Sequence, residues 1–338
     1  MGRAPTFWND ETVELLKENF VCAAVPTQVC RTESPEGEFL RTAGIDKQWV
    51  TSSGYFSCVS PGGKTLVAGG DVRRALEEFR KLPEAQRKAG GLALSALEAG
   101  DEVVPSPPEN GLVLRVHARF LARDEKGELR YAKRDDFRAI SPAFLEPNTE
   151  YMWLTEDEWK ALVPENPTKG QKLPVSSAIS NRMARFHLNP QRALTSESSI
   201  VAQQNVKTAD LALVVDEVTP DRIRMGVAGF IHWGSTFDAA KATSPNGPLG
   251  YGYETPIHGT VEYDRKKQEF VRFDMIAPGD VWGRWGDANG NSQGVERAGR
   301  APVGFAFELV TGDSPTDRLP PGGNGERALK AGYFSTGG

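Results

Sequence analysis

The chain has 338 residues, 39% of them hydrophobic and 25% charged, with 35 glycines and 23 prolines. That is enough apolar material for two domains of ordinary size, and it excludes a disordered or collagen-like chain. With 40 basic residues against 45 acidic ones the net charge is −5, so no basic excess exists to neutralise phosphates and nucleic acid is excluded as the main partner. No apolar run approaches the roughly 20 residues of a bilayer-spanning helix, and the first residues lack the apolar core of a signal peptide.

Residues 9–20 read as a short helix: Asn9 or Asp10 caps it, and Val13, Leu16 and Phe20 share a face. The apolar run Phe20–Val25 reads as a buried strand. After a polar stretch come a short helix near 36–43 and a strand at Tyr55–Val59. A turn at Pro61–Lys64 then leads into a strand at Thr65–Ala68. Asp71 caps a helix through Leu82 that points Val72, Leu76 and Phe79 inward. All three cysteines, Cys22, Cys30 and Cys58, fall in this region without a C-x-x-C spacing. A Cys22–Cys30 or Cys30–Cys58 bridge and a redox or soft-metal site are open readings; the plainer one makes Cys22 and Cys58 small buried hydrophobes.

The run from Thr6 to Val21 resembles the second half of the active-site helix and the next strand of a thioredoxin-like domain. The run from Gly54 to Leu66 resembles that fold's closing hairpin. The resemblance covers about residues 5–84 and rests on pattern. Only five residues precede Thr6, so the family's first strand and its W-C-x-x-C are missing, and no proline stands at Ser52–Gly54 where the family carries its cis-proline. What the resemblance implies is therefore a scaffold without redox chemistry. It also leans toward an exported location, with the short Met-Gly start replacing a removed signal peptide.

Residues 84–111 read as a helical extension and a Pro-rich linker, after which the periodicity becomes β. Leu112–Leu121 alternates, turns at 124–127 and returns at 128–131. Residues 155–162 read as one helical insert with a capping box from Thr155 to Glu158. Dense alternation follows over 209–216, 221–233, 254–264, 268–277 and 302–310, with hairpin turns at 218–221 and 264–267. The expected fold is α+β. A thioredoxin-like α/β domain occupies 1–83, and an antiparallel β-sandwich or barrel occupies 112–338. Segments 183–188, 259–264 and 279–283 are similar to the C-terminal part of uncharacterised bacterial proteins joined to thioredoxin-like domains.

Most catalytic signatures fail: there is no Walker loop, no H-E-x-x-H and no strand-borne G-x-G-x-x-G. Gly290–Gly294 spells G-x-S-x-G, but a polar loop precedes it and no histidine follows His258. Asp287–Gln293 alternates oxygen ligands as a Ca²⁺ loop does, yet departs from the EF-hand spacing, so a polar surface loop is the preferred reading.

The four histidines, His117, His187, His232 and His258, all lie in the β region. Imidazoles on neighbouring strands can converge on Cu or Zn, which makes His187, His232 and His258 a candidate ligand set. Four separate hydrogen-bonded histidines are the alternative. Trp233, Tyr251, Tyr253, Trp282 and Trp285 concentrate around one long loop and suggest an aromatic platform for a small molecule or carbohydrate. Asp274 and Glu262 are the candidate base or orienting carboxylates, although Lys266 and Arg272 stand ready to make ordinary surface pairs with such acids. Three functions follow: a non-redox thioredoxin-like protein with a ligand-binding β domain, a Cu or Zn metalloenzyme, or a thiol redox or soft-metal protein.

Overall fold

The computed structural model describes residues 10–23, 27–45, 57–68, 71–88, 96, 104–137, 145, 147–190, 200–240, 250–283, 299–312, 314, 317–321 and 327–335. The chain divides into two compact units, residues 1–105 with 314–319, and residues 106–313 with 320–338. Among the described residues no helix is long and apolar enough to cross a membrane.

In the first unit, α1 (Asp10–Asn19) and α2 (Pro35–Thr42) precede a hairpin of β1 (Ser57–Val59) and β2 (Thr65–Ala68), and α3 (Val72–Lys81) follows it. Local chemistry sets these bounds. Ser34 accepts from Gly37 N and places Pro35 at the helix start, while Asp71 Oδ1 accepts from Arg74 N. Gly63, at φ 77°, makes the tight turn between the strands. Leu16, Cys58, Val72 and Ala75 form a small buried cluster. Leu76 and Phe79, expected inward with Val72, are only half-buried.

The strand expected at 20–25 does not form over its described part, residues 20–23. Val21 is 99% exposed and Cys22 is exposed too, so the latter is not the buried hydrophobe expected. A strand needs a partner ladder for its amides, and among the described residues the hairpin pairs only with itself. Residues 24–26, 46–56 and the position of the family's cis-proline lie outside the described residues.

The second unit is built on one antiparallel sheet of nine strands. They are β3 (Leu112–Arg123), β4 (Leu129–Tyr131), β5 (Asn148–Leu154), β6 (Lys172–Pro174), β7 (Val206–Val218), β8 (Arg222–Gly234), β9 (Gly252–Asp264), β10 (Glu269–Trp282) and β11 (Ala301–Leu309). The order is β4-β3-β11-β10-β9-β8-β7-β6, with β5 also on β3. The sheet does not close, and it is single; the expected sandwich or barrel is thus one large open sheet. All three expected turns are present, with Asp124 and Asp264 capping theirs by accepting from amides two to four residues on.

The sheet is coiled around a helical plug. α4 (Glu84–Arg87) belongs to the first unit; α5 (Glu156–Lys160), α6 (Ser177–Arg182), a π-turn at Met183–His187 and α7 (Arg327–Lys330) belong to the second. Leu114 on β3 and Leu213 on β7 have four strands between them, yet both line one apolar void of about 20 Å³ with Ile179 and Met183. Only a strongly curved sheet brings them together. A void of that size, lined by apolar groups, stays dry. Alternation fixes the faces: Ile223, Met225, Val227, Ile231 and Trp233 point inward from β8, while Arg222, Arg224 and Phe230 point outward.

The β9–β10 ladder has a gap. Pairing runs through Ile276↔His258 and resumes at Asp280↔Glu254, so Pro256 and Pro278 stand opposite each other at its centre. Neither offers an N–H. Thr255 Oγ1 donates to Pro256 O at 2.9 Å.

Candidate functional site

Strand parity separates the expected aromatic platform into two clusters. Trp233 pairs with Tyr253 and both point inward, where Trp233 meets Tyr251 at 5.0 Å and Tyr253 at 5.9 Å between ring centroids. Tyr253 meets Phe305, and Trp233 Nε1 donates to Leu188 O at 3.0 Å. Burial pushes both tyrosine hydroxyls up, helped by Tyr253 beside Tyr251 and by the Asp280 carboxylate near Tyr253, so the two rings are neutral core. Trp282 pairs with Gly252 on the opposite, outer face. Its indole lies flat where a Cβ on Gly252 would be, within 2.7 Å, so only glycine fits there. Trp285 lies outside the described residues, as do the Asp287–Gln293 stretch and the Ser292 elbow.

Around Trp282 the outer face gathers a mixed polar and aromatic site. His232, Glu254 and Asp280 occupy one row across β8, β9 and β10. Arg300, just before β11, pairs with Glu254 and reaches Asp280 Oδ2 at 3.3 Å. Arg123 at the end of β3 forks onto Asp280 at 3.1 and 3.2 Å. The Arg300 guanidinium also lies 5.4 Å from the Trp282 ring and 5.6 Å from that of Phe237. Burial works against the charge of Arg300, and Glu254 and Asp280 overcome it, which holds its pKa above the ordinary arginine value. Arg300, Glu254 and Phe237 keep part of their surface exposed, whereas Trp282 is buried with Nε1 donating to Ser235 O at 3.1 Å.

The candidate metal ligands are held apart. His232 sits beside Trp282 with Nε2 3.3 Å from Ser235 O. His258 is exposed in mid-β9, opposite Ala228 and Ile276. Four strand positions, roughly 13 Å, separate it from the row of His232. His187 lies on the inner side with both ring nitrogens engaged, Nδ1 3.1 Å from Glu150 Oε1 and Nε2 2.7 Å from Tyr333 Oη. His117 bonds Thr149 and Glu308. Among the described residues no group of three His, Cys, Asp or Glu side chains is placed to hold a metal.

The candidate carboxylates are engaged in surface pairs. Asp274 accepts from Arg272 Nε at 2.5 Å, and Glu262 accepts from Arg222 Nη1 at 2.9 Å. Cys30 and Cys58 are buried, Cys22 is exposed, and no disulfide joins the three, so neither expected bridge forms.

No family model, no curated protein and no solved structure matches the chain. Arg300, Arg123, Glu254 and Phe237 were not singled out from sequence. The signal that finds them is register: once β9 and β10 pair at Asp280↔Glu254, two carboxylates stand side by side and require a cation.

Proposed function

We propose that the chain is a non-redox protein with a thioredoxin-like N-terminal part and a β unit that binds a small hydroxylated ligand, a carbohydrate being the class that fits. The non-redox half of this reading rests on the cysteines present: no two of them are spaced as C-x-x-C, and Cys58 is buried with its thiol pushed up to about 11. The order hairpin then helix, β1–β2–α3, is what the resemblance leads one to expect.

The observation that carries the binding half is the placement of Arg300, a cation held by two carboxylates over two aromatic rings. A sugar hydroxyl is both donor and acceptor, so it is recognised best where guanidinium N–H and carboxylate oxygen lie side by side. A ring edge such as Phe237 serves the apolar C–H face of the same ligand. The void of about 20 Å³ that Leu114, Leu213, Ile179 and Met183 line is apolar throughout and too small for a sugar.

The test is a titration of the full chain with a panel of mono- and oligosaccharides, followed by tryptophan fluorescence and calorimetry. Saturable binding that weakens at least tenfold in Arg300→Ala, with unchanged circular dichroism, is the expected result. Binding that is equal in the variant, or no binding by any sugar, refutes the reading.

A further inference from the structure

A second polar constellation of the β unit lies away from the Arg300 site, and its Arg182, His187 and Tyr333 are fully buried. It begins with an edge: among the described residues β5 pairs only with β3, so the backbone groups on its other side need partners. Trp153 N donates to Tyr333 Oη at 3.0 Å, and Trp153 O accepts from Arg182 Nη1 at 3.3 Å. Tyr333 itself arrives from the far end of the chain, just beyond α7.

Every part of Tyr333 is met by a matching group. Its hydroxyl already accepts from Trp153 N–H, so its proton is free to go to His187 Nε2 at 2.7 Å. That leaves His187 with its proton on Nδ1, facing Glu150 Oε1 at 3.1 Å, and one tautomer satisfies all three bonds. Phe186 and His187 meet the ring edge-on at 5.2 and 5.6 Å, and the Arg182 guanidinium lies 4.9 Å from its centroid. The Tyr333 carbonyl accepts from Arg182 Nε at 2.8 Å. Arg182 is fixed in turn by Glu158, through contacts of 2.7 and 2.6 Å.

All of these receptor groups come from residues 150–187, and none from the segment that fills them. We propose that they form a binding site for a para-hydroxyphenyl group and its adjoining carbonyl, occupied in cis by Tyr333. The class of small molecule that competes for it is a phenol. A hydrophobic slot would accept a phenyl ring equally well. Here loss of the hydroxyl strands a buried N–H and a buried ring nitrogen, which is how sites built around a hydroxyl reject the analogue lacking it.

The experiment uses the full chain carrying Tyr333→Ala, titrated with p-cresol and, separately, with toluene. Saturable p-cresol binding at least tenfold tighter than toluene, with a rise in Tm absent from the wild type, is expected. Equal affinities, or no binding, overturn the proposal. Should Tyr333→Ala fail to fold, Tyr333→Phe decides. It is expected to lower Tm and to speed hydrogen exchange at the Trp153 amide, and wild-type values for both would equally overturn it.

Discussion

Arg182 Nη2 donates to Glu158 Oε1 over 2.6 Å from a side chain that has no exposed surface at all. Glu158 is also half of the capping box on α5, accepting from Thr155 N at 2.9 Å. One carboxylate thus starts a helix and neutralises a buried cation. Removing one partner of such a pair leaves an uncompensated charge, whereas removing both need not. Arg182→Met is expected to cost about 3–5 kcal/mol, and the double variant Arg182→Met/Glu158→Leu less than the sum of the single ones. Urea unfolding of the four proteins measures the cycle, and additive losses would contradict the coupling.

Acid acts on the same pair. Burial pushes the Glu158 carboxyl up, but the Arg182 and Thr155 hydrogen bonds outweigh it and hold its pKa below the ordinary value. A depressed folded pKa gives stability that is present above the unfolded pKa, about 4.3 for glutamate, and is lost as pH falls through the folded value. The Tm gap between wild type and Glu158→Gln is therefore expected to be constant from pH 7 to about 5 and to shrink below about 4. A gap that widens on acidification would show the opposite sign of linkage.

The three thiols are expected to differ in reactivity. Cys22 is exposed, while Cys30 and Cys58 are buried. Burial, with help from Cys22 and Asp71, pushes the Cys58 thiol up to about 11. A thiol that resists ionisation is a poor nucleophile at neutral pH. Titration of the native chain with an aromatic disulfide at pH 8 should release one equivalent quickly, lost in Cys22→Ser, and the other two only on adding denaturant. Three fast equivalents would mean that the first unit opens readily.

Period-two alternation made the long strands legible because one face of each is buried: β7 to β11 lie within a few residues of the expected segments. Caps and turns were equally clear, since Ser, Asp and Gly act locally at Asp71, Thr155 and Asp264. β5 was missed because Glu150–Leu154 is buried on both faces and shows no alternation. β10 was cut short at Ala277 because Pro278–Gly279 reads as a stop, yet the strand continues to Trp282. The site residues were harder. Loop proximity suggested a single aromatic group, but parity places Trp233 and Trp282 on opposite faces, and only pairing register reveals that. His187, one of the three candidate metal ligands, meets Tyr333 from 146 positions away, a distance no spacing rule spans.

The opposed prolines of β9 and β10 also bear on how this sheet assembles. With no amide at either Pro256 or Pro278, the two strands zip as two short runs on either side of a silent rung. Each proline also leaves the carbonyl opposite it without a ladder donor, and Thr255 Oγ1 stands in at Pro256 O, so at this rung a side chain takes over work that a partner strand's amide does elsewhere.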